Sequence, residues 1–192
     1  MVGSKGSVLC SPESVLQPHA LWHIVMGLSI VWWATALVQR LDQYRAIATA
    51  ALIDLHWDQA STRLLPAADL TIAGIVKHLA WAEDRWFQGR LLGSKMPAPW
   101  GAPGADDADH SMRLAQGDTV DGIIQLHCSA CERSHAALGQ CDSLSHVAAV
   151  PSFGIGPVNV RWILVHMIDE TARHAGHLDV LRDCLKEGSV KR

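Results

Sequence analysis

The sequence predicts an all-α fold, a four-helix bundle with an N-terminal hydrophobic extension, on three observations. Apolar residues recur at spacings of three and four in four separate segments, polar caps and Gly or Pro stops bound those segments, and no stretch alternates apolar and polar residues as a half-buried strand would. The chain has 192 residues, 49% hydrophobic and 18% charged, the composition of one globular domain. At this length roughly 70% of the unfolded surface can be buried, so neither a disulfide nor a metal is needed for folding alone. A metal site here would serve function.

Residues 1–18 are rich in Gly, Ser and Pro and read as a loosely attached leader. From Leu21 to Val38 the chain is almost continuously apolar (LWHIVMGLSIVWWATALV). That length sits at the lower edge of the ~20 residues that span a bilayer, and Trp22, Trp32 and Trp33 fit interfacial positions. The alternatives are a buried first helix and a spurious upstream start. A secretory signal fits poorly, given the bulky Trp pair and the lack of a small-x-small cleavage site. Residues 1–38 are therefore set apart from a bundle domain at 39–188 and a tail at 189–192.

Leu41, Tyr44, Ile47, Ala48, Ala51, Leu52 and Leu55 mark the first amphipathic helix, expected to end near His56 to Asp58. A connection through Pro66 leads to Asp69, expected to cap a second helix with Ile72, Ile75, Leu79, Ala82 and Trp86 on one face, running to about Leu91. Residues 93–117, rich in Pro, Gly and Asp and without period, form a long loop of the kind that serves as a lid. Asp118 and Asp121 suggest the cap of a third helix carrying Val120, Ile124, His127, Cys131 and Leu138. Turn residues fill 139–158. The last helix begins near Asn159, after Pro157, and is expected to stop at Gly188.

The formal charge of −3 and the lack of a Lys/Arg cluster exclude a nucleic-acid partner. Five irregularly spaced cysteines argue against a disulfide framework and for a reducing, cytoplasmic location, with membrane anchoring through 21–38 as the alternative. No Ser-His-Asp order, phosphate loop or dinucleotide fingerprint occurs; Gly154 and Gly156 in FGIGP follow no strand.

The chemistry points to the last helix. At 100° per residue, His166, Glu170, His174 and His177 fall within about 80° of one another and share their side with Ile163, Met167, Leu178 and Leu181. An unpaired buried carboxylate costs several kcal/mol at least, so Glu170 needs a cationic, hydrogen-bonding or metal partner. Glu170 and His174 are one turn apart, a spacing that lets a carboxylate oxygen and an imidazole nitrogen converge on one ion. His78 is the candidate third ligand, although it lies at the edge of its helix's apolar stripe and a structural role stands beside that one. Two His and one carboxylate leave open coordination positions, suited to Zn foremost and to Ni, Fe or Mn.

Two stretches, TIAGIVKHLAWAEDRWFQGRLLG and VNVRWILVHMIDETARHAGHLDVLRDCL, resemble the DinB-like superfamily and, within it, the DUF664 or mini-circle protein branch, over roughly residues 41–188. The shared patterns are KHLAW-x-E-x-x-WF and HMI-[DE]-E-x-ARHAGH. The resemblance implies an up-down four-helix bundle holding one divalent metal through a His of the second helix and an i, i+4 pair on the last, which on this chain are His78, Glu170 and His174. Many relatives carry His where this chain has Glu170, so the set is similar to the His/Glu/His variant of mycothiol-dependent maleylpyruvate isomerase. It further implies a thiol-dependent transferase or isomerase using a low-molecular-weight thiol such as mycothiol, with a small-molecule electrophile as partner and a homodimer as an assembly seen in such bundles.

The expected function is activation of a thiol or water at this site, with His177 and His166 as acid, base or supporting hydrogen-bond donors. The alternative is a metal- or ligand-binding stress-response module without turnover. A second metal set, His127, Cys131 and His135 with Cys128 and Glu132 nearby, is the weaker candidate, since a small buried Cys is usually core filler. Glu83 is expected to pair with Arg85, Arg90 or an Arg from elsewhere in the bundle. Trp81, Trp86 and Trp162 are read as core packing or pocket walls.

Overall fold

The computed structural model describes residues 18–65, 68–100, 111–152 and 154–190, with side chains described between 34 and 186. Most of the expected leader, the middle of the 93–117 loop and the end of the tail lie outside the described residues. The elements are α1 (Pro18–Ala50), a short α2 (Trp57–Ser61), α3 (Ile72–Glu83) continuing directly as a π-helical segment (Asp84–Leu91), α4 (Val120–Leu138) and α5 (Val160–Val190). The fold is all-α, as expected; Val147 with Asn159 and Ser152 with Gly156 form only isolated bridges among the described residues.

The apolar stretch and the first amphipathic segment are one uninterrupted helix. Ala34, Leu37 and Val38 lie against the core, so the C-terminal end of that stretch packs on the bundle. Among the described residues no helix is long and apolar enough to cross a membrane. α1 ends at Ala50, short of the expected stop, in a turn where Asp54 adopts φ 63°. Asp is one of the few residues whose short polar side chain tolerates that left-handed conformation.

Two expected caps are replaced by threonines one or two residues nearer the helix. Thr71, not Asp69, accepts from the Gly74 N–H at the start of α3, while Asp69 pairs with Arg63 on the surface. Thr119, not Asp118, accepts from the Gly122 N–H at the start of α4. Asn159 does cap α5, accepting from the Trp162 N–H. The backbone of α5 stays helical through Gly188 to Val190.

Side-chain pairs fix the helix directions. Thr49 meets His127 while Asp42 meets His135, so α1 and α4 are antiparallel. His78 meets Glu170 while Trp86 meets Trp162, so α3 and α5 are antiparallel. Arg182 reaches the Ile53 carbonyl, and Val38 and Leu164 line one groove at the opposite end, so α1 and α5 are parallel. It follows that α3 and α4 both run against α1 and α5. The bundle thus departs from strict alternation at one place, and the long connection after Leu91 is there to return the chain along α3 before α4 begins. Crossing about 30 Å of helix needs only about ten extended residues, which that connection exceeds.

Two apolar clusters fill the interior. One gathers Leu41, Phe87, Ile163, Leu164 and Met167; the other gathers Leu52, Ile72, Ile75, Leu79, Ile123 and Leu178. Every residue of α3 is buried, its polar ones included, which makes it the central helix.

A polar network crosses the first cluster. Arg45, 4% exposed, forks onto Glu83, 1% exposed, through Nε to Oε1 at 2.8 Å and Nη2 to Oε2 at 2.6 Å. Its Nη1 lies 2.8 Å from Asp42 and 3.0 Å from His135 Nε2. The partner of Glu83 is therefore an Arg of α1. The same arrangement disposes of the second metal set: His127 is buried and Cys131 half-buried, but His135 is exposed with its Nε2 on the Arg45 guanidinium, and among the described residues their donor atoms do not gather as a three-ligand cluster. Burial pushes the Cys131 thiol up, so it stays protonated, and pushes His127 down to about 4, so it stays neutral, 3.0 Å from Thr49 Oγ1.

Removing one member of a buried, hydrogen-bonded ion pair strands the other. Glu83→Ala is expected to destabilise the protein by about 3–5 kcal/mol in urea unfolding, whereas the exposed Asp183, paired with Lys186, should tolerate Ala within about 0.5 kcal/mol. The buried His127 adds a pH dependence. Below pH 6.5 the unfolded imidazole takes up a proton that the folded one refuses until about pH 4. Stability contributed by His127 is thus complete above about 6.5 and falls by about 3 kcal/mol on descending to about 4. Unfolding midpoints measured across that window should drop more steeply in the wild type than in His127→Gln; parallel curves would refute the assignment.

Candidate metal centre

His78 owes its position to the burial of α3 on all sides, which turns the edge of the apolar stripe into interior. The segment that follows the long connection presses directly on this helix. A Cβ on Gly74 would stand 2.6 Å from the Met112 carbonyl oxygen, a contact only glycine permits. Three residues on, Lys77 Nζ donates to the Arg113 carbonyl at 3.0 Å and to Asp118 Oδ2 at 2.7 Å, and that oxygen also accepts from the Ala115 N–H. These bonds pin residues 111–118 along α3. Buried Ser111 is thereby held with its Oγ 2.7 Å from His78 Nδ1.

On α5, buried Met167, Thr171, Ala175 and Leu178 face inward, and Glu170 and His174 flank them one turn apart. Glu170 Oε1 lies 3.0 Å from His78 Nε2 and 3.3 Å from His174 Nε2, and the donor atoms of all three residues lie within 4.8 Å of one another. The His78 and His174 rings meet edge to face at 4.9 Å. Hydrogen bonds from His174 and then His78 hold the Glu170 carboxyl well below the usual carboxylate range, against the opposing effect of burial. Its second oxygen, Oε2, accepts from Arg173 at 3.0 Å.

The residues expected at the site therefore come together in part. His78, Glu170 and His174 converge. His177 stands behind His174, Nδ1 to Nδ1 at 3.4 Å, at the exposed rim. His166 is one turn before Glu170, with its ring stacked on Trp162 at 5.1 Å and 10° and tilted against Trp86 at 4.4 Å; burial lowers its pKa. Trp81 stacks on His78 at 5.4 Å. Ser111 and Arg173 are the residues the sequence did not single out. Ser111 lies in an aperiodic stretch with no spacing to mark it, whereas Arg173, three after Glu170, could have been found from the i, i+3 ion-pair rule.

The donor set fits a divalent ion. Two imidazole nitrogens and one carboxylate oxygen are ordinary ligands for zinc and its neighbours, and three of them leave open positions. The backs of both imidazoles are engaged by hydrogen-bonding groups, as metal-bound histidines require. A hydroxyl suits the Ser111 position because it donates to Nδ1 when Nε2 carries the proton and accepts from Nδ1–H when Nε2 offers its lone pair.

A search of curated proteins finds no match. Among solved structures, a conserved protein from Enterococcus faecalis superimposes with a TM-score of 0.63 over 78% of this chain and 95% of that one, at 16% identity, which supports the shared fold alone. A family model described as mycothiol-S-transferase matches residues 36–187, nearly the whole described bundle. On that match the chain belongs to the mycothiol-S-transferase family, within the DinB-like superfamily.

Proposed function

We propose that the protein is a metal-dependent thiol S-transferase, joining a low-molecular-weight thiol of the mycothiol type to a small electrophile at His78, Glu170 and His174. The observation that carries it is the convergence of three buried or half-buried donor atoms within 4.8 Å in a chain of a thiol-transferase family. A bound divalent ion, Zn foremost and Ni, Fe or Mn as alternatives, would supply Lewis acidity that turns a thiol or a water into a nucleophile near neutral pH.

The chain's own residues prepare that chemistry. Glu170 brings one negative charge to the site, and Arg173 holds Oε2 so that Oε1 stays turned inward between the imidazoles. Ser111 and His177 fix the two rings from behind, leaving each Nε2 facing the same point. The transfer forms one sulfur–carbon bond and breaks the bond from that carbon to its leaving group, which departs with the electron pair. The thiol proton leaves by the exposed rim, where His177 exchanges with solvent. His166, stacked on Trp162 and tilted against Trp86, takes no part in proton transfer in this scheme. Free thiols at Cys128, Cys131, Cys141 and Cys184 agree with a reducing cytoplasm.

One observation favours the rival reading of a module without turnover: Glu170 is already satisfied by His78, His174 and Arg173. Elemental analysis separates the two. Wild type should hold about one equivalent of metal, lost in both His78→Ala and His174→Ala while helical circular dichroism persists, and a small thiol should shift the visible spectrum of the Co(II) protein. A folded wild type that takes up no metal on reconstitution would leave the module reading in place. Ser111→Ala should weaken metal affinity by about 10–100-fold with unchanged helicity, because the His78 ring loses its orienting partner; equal affinity would make Ser111 a bystander.

A further inference from the structure

Beside the candidate metal centre lies an aromatic surface that the transfer scheme does not use. Along α5, Trp162, His166 and Glu170 succeed one another at four-residue steps, about 6 Å apart along the axis, so one stripe leads from the indole to the carboxylate. Trp86 faces them from the π-helical segment, where each residue turns the helix through less than 100° and the side chain stays towards the His78 side. The three rings touch: Trp86 to Trp162 at 5.3 Å, Trp86 to His166 at 4.4 Å, Trp162 to His166 at 5.1 Å and nearly parallel.

Trp86 and Trp162 lean on the first apolar cluster, but core packing covers only one side of them. Trp81 and Trp100 are buried at 6% and 7% exposure, and Trp100 gives its N–H to Asp84. Trp86 and Trp162, by contrast, are only partly buried, and neither indole N–H has a protein partner among the described residues. Each therefore shows solvent both apolar ring surface and a free donor. Partly exposed aromatic rings with unpartnered donors beside a polar centre are the kind of lining that ligand sites use.

We propose that Trp86, Trp162 and His166 form the stacking site for a flat, conjugated ring of the electrophilic substrate, placing its reactive carbon towards Glu170. This rests on the two-substrate reading of the adjoining centre. With Trp86 tilted against a nearly parallel Trp162–His166 pair, the cluster offers a planar π system offset or edge contacts and a saturated ring of equal bulk no such geometry. One turn of helix separates the platform from Glu170, the reach of a single ring substituent.

The test uses 4-nitrobenzyl alcohol, flat, neutral and without a leaving group, against cyclohexylmethanol, with binding followed on the indole N–H signals of 15N-labelled protein. The aromatic probe should move the Trp86 and Trp162 signals saturably, and cyclohexylmethanol should bind at least threefold more weakly. Trp162→Leu should weaken aromatic binding by about twofold to tenfold, and Trp162→Phe should restore most of it. If Trp162→Leu fails to fold, the wild-type signals decide alone. Equal binding of the two probes, or shifts confined to other indoles, would overturn the proposal. A wild type that takes up no metal on reconstitution yet still binds the aromatic probe would overturn the metal reading and keep the platform.

Discussion

Four polar side chains buried on one central helix dictate where the other elements sit. α3 is covered on every side, yet it carries Lys77, His78 and Glu83, and Asp84 follows at once. None can be left unpaired in the interior without a cost of several kcal/mol. Together they recruit every other long helix of the bundle and the segment before α4: Lys77 the 111–118 segment, His78 both Ser111 of that segment and α5, Glu83 the Arg45 of α1, and Asp84 both Arg133 of α4 and the indole of Trp100. Hydrophobic contact brings helices together without fixing their slide along one another. These bonds fix it, and among the described residues no buried side-chain nitrogen or oxygen is left without a partner.

The features legible in the sequence are those that depend on period and local chemistry. Four helices follow from spacing, and the pairing of Glu170 with His174 follows from the single turn between them. The direction of α4 was not legible, because periodicity says nothing of which way a helix runs; the length of the 93–117 connection was the only trace, and it suggests a lid as readily as a return path. Caps were misplaced for a related reason. Asp69 and Asp118 are good capping residues, but a threonine lay immediately before each helix, and Asp118 was needed by buried Lys77. The H-x-x-x-C-x-x-x-H pattern was read correctly as one face and incompletely as chemistry, since what stands opposite a helix face is a tertiary fact.

Arg45 and the candidate metal centre show two solutions to one problem. On the Glu83 side of α3 a carboxylate is neutralised by a guanidinium that forks onto both oxygens, a geometry with nothing left over for a ligand. On the His78 side the carboxylate faces two imidazoles, which carry no fixed charge and can each give up the proton that bonds Oε1. The first arrangement is closed. The second can exchange its hydrogen bonds for coordination without moving a ring, since Ser111 accommodates either tautomer of His78 and His177 either tautomer of His174.

That difference explains how a cluster satisfied without an ion keeps the chemistry of a candidate site for one. A cluster designed only for stability would gain from the Arg solution, as Glu83 does, or from apolar replacement. Keeping two buried histidines and a half-buried glutamate instead retains groups whose lone pairs become available together, next to a rim carrying Arg173 and His177. The direction of α3 completes the arrangement. Because it runs antiparallel to α5, the π-helical segment that follows His78 lies beside the turns that precede Glu170, so Trp86, Trp162 and His166 are delivered to the flank of the carboxylate by the same helix pair that builds it. Polar centre and aromatic flank are consequences of one helix crossing.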